Sequence, residues 1–326
     1  MSPMSPELMD TAREILLVPH TGRADNVESA ARAAHLLTEA GIKVRVLGDN
    51  TDSPLDEYES LRNLIRVPHT AEAASGCELV LVLGGDGTFL RAADLAHAVD
   101  APVIGINLGH IGFLAESEAE SMDAAVQRII DRTYRIEDRM TLDVSVYDSD
   151  GDLLASSWAL NEASLENLDR RGVLDAILEV DARPVTGFGC DGVLVSTPTG
   201  STAYAFSAGG PVVWPELDAI VVVPNNAHAL FTKPLVVAPT STVAVESASK
   251  SSDAVVALDG FRVLPMPPGA RVEVRRGNRP VRWVRLDSKP FTDRLVTKLQ
   301  LPVHGWRGPQ PSNNLRSNSQ ADDDAN

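Results

Sequence analysis

The sequence predicts a doubly wound α/β domain at the N-terminal end and a β-rich, sandwich-like domain at the C-terminal end. Two observations carry this. Strand and helix patterns alternate from Arg13 to Ala101, the signature of a parallel sheet with helices on both faces. From Arg139 to Leu286 short β-branched runs follow one another, many separated by turns of Gly, Pro, Asp and Ser, the signature of layered antiparallel strands. At 326 residues the chain also exceeds one ordinary domain. The organisation expected is a disordered N-terminus over 1–12, an α/β domain over 13–138 and a β-rich domain over 139–288. A segment over 289–307 is expected to return to the first domain, and a tail over 308–326 to be disordered. That tail, rich in Pro, Ser, Asn and Asp, cannot repay its ordering entropy.

In chain order, Glu14 to Val18 reads as a strand, Asp25 to Ala40 as a helix closed by Gly41, and Lys43 to Leu47 as a second strand. Leu79 to Leu83 is an unbroken apolar run, a fully buried strand. A glycine loop and a helix over Phe89 to Ala98 follow, then a short buried strand from Pro102 to Asn107. The β-rich half has strand signals at Thr141–Tyr147, Leu174–Val180, Gly192–Ser196 and Ala219–Val223. Further signals lie at Thr242–Glu246, Ala254–Leu258, Arg271–Arg275 and Val281–Leu286. Arg275, Arg276, Arg279, Arg282 and Arg285 form a basic stretch with Trp283 that reads either as an attractor of an anionic chain such as polyphosphate or, by its period of two, as the solvent face of a strand.

Bulk properties narrow the function. The chain is 44% hydrophobic and can bury a real core. Its formal net charge of −16 argues against broad nucleic-acid binding, which relies on a basic surface. No apolar stretch reaches the roughly 18 residues that span a bilayer, and Met1 to Asp10 lacks a secretory signal pattern. Cys77 and Cys190 are the only cysteines and make no disulfide framework. The expectation is a cytoplasmic protein with neither membrane nor nucleic acid as partner.

The chemistry concentrates in Gly84-Gly85-Asp86-Gly87-Thr88, directly after the buried 79–83 run. A glycine loop between strand and helix suits phosphate, because unpaired N–H groups and the helix dipole point there. The loop is neither a G-x-G-x-x-G fingerprint nor a P-loop with G-K-[ST]. Asp86 is the informative residue, since a carboxylate repels phosphate. It reads either as a base or metal ligand for phosphoryl transfer, or as the helix N-cap. At the carboxyl ends of the strands Asp86 and Asn107 would lie together, where open α/β sheets bind ligands.

A second dense segment runs from Asp191 through Ser196-Thr197-Pro198-Thr199-Gly200-Ser201-Thr202-Ala203-Tyr204. Its hydroxyls suit phosphate and sugar oxygens, or else build an ordinary Ser/Thr turn. Asn161-Glu162 offers paired groups for ribose hydroxyls or an amide edge, or else is a surface turn.

Taken together these segments resemble the NAD kinases. The resemblance rests on Gly84–Thr88, Asn107-Leu108-Gly109 with Gly112-Phe113-Leu114, Asn161-Glu162, and Asp191 through Pro211. It extends to Pro224–Leu230 and Leu258-Asp259-Gly260. It implies transfer of a γ-phosphoryl group from ATP, or from polyphosphate, to the 2′-hydroxyl of the adenosine ribose of NAD. Mg2+ or another divalent cation and a homodimer or homotetramer are implied with it. Asp86 matches the family's catalytic aspartate. Asp86, Gly87, Asn161, Glu162, Asp191, Thr202, Ala203, Tyr204 and Ser207 are the expected ligand contacts; Arg91, just after the loop, reads as a further contact at a phosphate or else as a solvated helix arginine. No metal-ligating residue is assigned. Gly189 and Phe261 depart from the family pattern, where relatives carry a basic and a polar residue.

Overall fold

A computed structural model of the chain describes residues 13–48, 53–107, 112–114, 116–117, 122–168, 172–248, 253–286 and 290–303. The expectations for residues 1–12 and 308–326, and the positions Leu108, Gly109 and His110, lie outside the described residues. The chain divides into two compact units, one to Ser288 and a second from Lys289.

The first half runs β1 (Glu14–Pro19), α1 (Ala24–Glu39), β2 (Lys43–Leu47), α2 (Glu59–Arg62), β3 (Ile65–Val67) and β4 (Leu79–Leu83). It continues with α3 (Asp86–Ala98), β5 (Val103–Asn107), β6 (Glu116–Ser117), α4 (Met122–Ile130) and β7 (Arg135–Arg139). The strands order as β3-β2-β1-β4-β5, all parallel. Strand β4 is buried on both faces because the strand period of two sends its side chains to opposite helices. Leu79, Leu81 and Leu83 pack in the cluster of α1 and α4, while Val80 and Val82 pack with Phe89, Ala92 and Ala96 of α3. Each such fully buried side chain contributes about 1.5–3 kcal/mol.

Helix α1 ends as expected at Gly41. With φ +77 it donates to Thr38 O, and Ile42 donates to Leu37 O, the pairing of a left-handed C-terminal turn that disfavours a Cβ. Winding from β1 proceeds one way to β2, and β4 lies on β1's other side. The crevice between the carboxyl ends of β1 and β4 is therefore the switch point of the sheet, and the glycine loop leaves β4 there.

The second half contains β8 (Leu142–Tyr147), β9 (Leu153–Ala159), β10 (Glu162–Asn167), β11 (Leu174–Val180), β12 (Arg183–Cys190) and β13 (Gly192–Ser196). After α5 (Tyr204–Ser207) come β14 (Ile220–Asn225), β15 (Leu235–Val237), β16 (Val243–Ser247), β17 (Ala254–Leu258), β18 (Arg262–Met266) and β19 (Arg271–Arg276). They form two six-stranded sheets, β15-β14-β13-β10-β17-β18 and β12-β11-β16-β19-β8-β9. Alternate residues, such as Val193 and Val195 of one sheet and Val272 and Val274 of the other, meet in one core, so this is a sandwich. The outer face of the first sheet, through Leu194, Val221 and Val223, is covered by Ala205 and Val213.

Two expectations are corrected here. The strand β20 (Val281–Arg285) does not join the β-rich half; it pairs parallel with β5 and antiparallel with β7, extending the α/β sheet. The reason is packing, since its Trp283 is buried against Phe89 of α3 with ring centroids 5.0 Å apart. Arg285 is likewise not on a solvent face. It is 2% exposed, with its guanidinium 5.8 Å from the Trp283 ring, where a cation gains from the ring's quadrupole. Arg275, Arg276 and Arg279 are exposed as expected, and Arg282 is half-buried.

Helix α6 (Phe291–Leu299) belongs to the second unit. Among the described residues no helix is long and apolar enough to cross a membrane.

Candidate active site

The glycine loop is short because α3 begins at Asp86, three residues earlier than the pattern suggests. The N-cap is Gly85, whose extended backbone carries no side-chain cap, so Asp86 is the first helical residue and the N-cap alternative is overturned. Its carboxylate instead reaches across to the chain after β5. Oδ2 accepts from the Phe113 N–H and Oδ1 from the Leu114 N–H, both at 3.1 Å. Each oxygen takes one donor, which leaves acceptor capacity for a further proton donor.

The glycines serve space, not backbone conformation. Gly84 is crowded by Thr88 and His20, whereas a Cβ on Gly85 or Gly87 would meet nothing within 4 Å. None of the three lies in the left-handed region. Openness without conformational need is what a phosphate chain approaching the N–H groups of α3 requires.

Asn161 and Glu162 are not a surface turn. They are 5% and 6% exposed, and Asn161 Oδ1 and Glu162 Oε2 are buried without a hydrogen-bond partner. Buried polar atoms in native folds are paired, and an orphan costs about 1–3 kcal/mol. Two neighbouring orphan acceptors call for a ligand that brings hydroxyl or amino donors. Burial, joined by the charges of Asp259 and Glu166, pushes the Glu162 carboxyl up to about 8, against a hydrogen bond from the Tyr204 N–H.

The backbone at this pair is fixed from two sides. Asp259, missed as a site residue, accepts from Leu160 N at 2.9 Å and Asn161 N at 2.7 Å. Its Asp-Gly dipeptide between two strand patterns is a hairpin signal, and both residues have positive φ, +51 and +74. From the other side the 196–201 segment lies directly on Asn161. A Cβ on Gly200 would overlap the Asn161 carbonyl, so only glycine permits that approach.

The hydroxyl cluster divides. Ser196 donates to Asn161 O at 3.0 Å, Thr197 to Leu160 O at 2.6 Å, and Ser201 to Pro198 O at 2.7 Å, all buried. These three build the turn, the alternative the sequence left open for them. Thr202 and Ala203 are half-buried, and Tyr204 and Ser207 are exposed. Asp191 is exposed and accepts from Asn226 Nδ2 at 2.7 Å, while the Tyr204 hydroxyl accepts from Asn225 Nδ2 at 3.3 Å. Asp191 also donates its N–H to Asn225 O at 3.1 Å. Asn161, Glu162, Asp191 and Tyr204 are thus one connected neighbourhood. The Asp86 side joins it through the apolar cluster shared by Leu114 and Leu160. Gly87 and Arg91 are exposed on α3, and Arg91 enters none of these bonds.

A carboxylate fixed at the switch-point glycine loop, joined to a polar neighbourhood with orphan acceptors, fits a nucleotide-dependent phosphotransferase. Known proteins agree. The ATP-NAD kinase N-terminal domain model matches residues 15–134, and the C-terminal domain model matches 160–286. An NAD kinase of Corynebacterium efficiens is 70% identical over 305 residues, covering 94% of this chain and 96% of its own. One of Nocardia farcinica is 57% identical over 321 residues, covering 95% and 98%. The chain belongs to the NAD kinase family. In fold it is similar to a yeast NADH kinase solved with NADH, with a TM-score of 0.77 at 22% identity over 90% of this chain and 88% of that one. It is also similar to an NAD kinase from Archaeoglobus fulgidus solved with ATP, with a TM-score of 0.65 at 24% identity over 88% and 98%.

Proposed function

We propose that this protein transfers the γ-phosphoryl group of ATP to the 2′-hydroxyl of the adenosine ribose of NAD, making NADP. The observation that carries it is the Asp86 carboxylate held by the Phe113 and Leu114 N–H groups beside an open glycine loop. Asp86 accepts the proton of the ribose hydroxyl as its oxygen attacks the phosphorus, a role worth roughly 10²–10⁴-fold. Gly87 and the first turn of α3 receive donor phosphates, with Arg91 on the same helix as a further phosphate contact. Asn161 Oδ1 and Glu162 Oε2 accept from the dinucleotide. Asp191 accepts from its adenine amino group, Tyr204 stacks on a ring, and Thr202, Ala203 and Ser207 complete the contacts.

Among the described residues no three His, Cys, Asp or Glu side chains gather into a metal cage. A magnesium ion in this reading would ride on the donor phosphates rather than in a protein cage. Such an ion, when bound, neutralises charge on the transferring group. Polyphosphate offers the same phosphate chemistry and is the second donor of this reading. A cytoplasmic homodimer or homotetramer completes it.

The test is to incubate the protein with NAD, ATP and Mg2+ and follow NADP with an NADP-specific dehydrogenase. NADP formation is expected; none with ATP or with polyphosphate would overturn the proposal.

A pH dependence follows from Glu162. Its carboxyl is raised from 4.5 to about 8, so between those values the folded pocket keeps a proton that the unfolded chain releases. Hydroxyl donors on Oε2 favour the ionised form. NAD is therefore expected to expel that proton and bind more tightly as pH rises from 7 to 9. Calorimetry in buffers of different ionisation enthalpy should detect proton release for the parent and none for Glu162→Gln.

A further inference from the structure

We propose that Arg262 is the positioning residue that sets the Asn161–Glu162 edge of the dinucleotide pocket against the helix that carries Asp86. The proposal rests on the phosphoryl-transfer reading above.

Arg262 opens β18, one residue after the Asp259-Gly260 pair. Its guanidinium is shared between two carboxylates of different parts of the fold. Nη2 donates to Asp259 Oδ2 and Nη1 to Asp94 Oδ1, each at 2.7 Å. Asp259 is the buried residue that holds the Leu160 and Asn161 N–H groups. Asp94 lies on α3, eight positions beyond Asp86 on the same helix. One planar cation therefore joins the backbone of the pocket edge to the helix of the base.

The surroundings hold that cation in place. It lies 4.3 Å from the Trp158 ring centroid and 4.8 Å from that of Phe261. Trp158 in turn stacks on His97 with ring centroids 3.8 Å apart. Asp94 and His97 are three residues apart, on one face of α3. The sandwich thus grips a single helical face through Trp158 and Arg262, and the Arg262 side chain is 16% exposed. Only a fork of two amino groups can serve both carboxylates at once; a lysine ammonium on its flexible stem cannot reproduce that geometry.

The two arms separate kinetically. The Asp259 arm shapes the pocket edge and so governs KM for NAD. The Asp94 arm sets the distance between ribose and base, where small misplacements lower kcat steeply. Arg262→Gln is expected to raise KM for NAD and lower kcat, each by about tenfold, while KM for ATP stays within about twofold. Asp94→Ala is expected to lower kcat by about tenfold with KM for NAD nearly unchanged, and Arg262→Lys to lie between parent and Arg262→Gln.

Lower thermal stability in Arg262→Gln with kcat and KM for NAD both at parental values would overturn the proposal, as would equal rises in KM for NAD and ATP. If Arg262→Gln does not fold, Asp94→Ala decides, and parental kcat there overturns it. If the parent makes no NADP from any donor, the functional reading fails by itself. NAD calorimetry on Arg262→Gln then reads the pocket arm, with weakened binding supporting the positioning role and parental affinity overturning it.

Discussion

Asp86→Asn is expected to bind NAD with nearly parental affinity and to lose roughly 10²–10⁴-fold in kcat. The substitution keeps the size of the side chain but replaces one oxygen by an amide nitrogen, which cannot accept the ribose proton. In place, the carboxylate takes one backbone N–H on each oxygen, from Phe113 and Leu114. An amide can satisfy one of these donors and must turn its own NH₂ toward the other. Both effects act on the reacting group and neither touches the Asn161–Glu162 pocket. The loss should therefore fall on kcat with little change in KM for NAD. Steady-state kinetics beside NAD calorimetry reads this. Near-parental turnover would remove Asp86 as the base and leave it a structural role at the start of α3.

Much of this site is legible in the sequence, and the parts that are not share a physical reason. Strong local signals survive: the buried 79–83 strand, the glycine loop and Gly41 as a helix stop are all present. Local patterns do not reveal partners distant in sequence. The N-cap reading of Asp86 fails because its donors lie 27 and 28 residues away on the far side of β5. Strand β20 reads correctly as a strand, yet which sheet it joins is decided by burying Trp283 against α3. The Ser/Thr segment keeps two readings open in the sequence because composition cannot say which hydroxyls the backbone consumes. Asp259 is visible as a turn residue but not as the acceptor for Leu160 and Asn161. In each case the residue type is informative, and its role depends on contacts far away along the chain.

Gly112→Ala is expected to cost far more in catalysis than in folding. Gly112 is buried, and a Cβ there would overlap the Asp86 carboxylate, with the nearest atom Oδ1. That obstacle is the end of a side chain with two rotatable bonds, so it can swing aside where backbone could not. Swinging aside gives up the bonds from Phe113 and Leu114, about 1.5–3 kcal/mol each as hydrogen bonds to a charged group, part of which water restores. Melting should therefore shift modestly. The displaced carboxylate, however, no longer stands where the ribose hydroxyl must deliver its proton, and misplacement of that order lowers kcat by about 10²-fold. KM for NAD and ATP should stay near parental values, because neither the orphan acceptors at Asn161 and Glu162 nor the open glycines are disturbed. Unchanged kcat in a folded Gly112→Ala would mean that the Asp86 position bonded to Phe113 and Leu114 is not the reactive one, and that substrate binding draws the carboxylate elsewhere. A hundredfold loss with intact binding would tie the rate to that single carboxylate position.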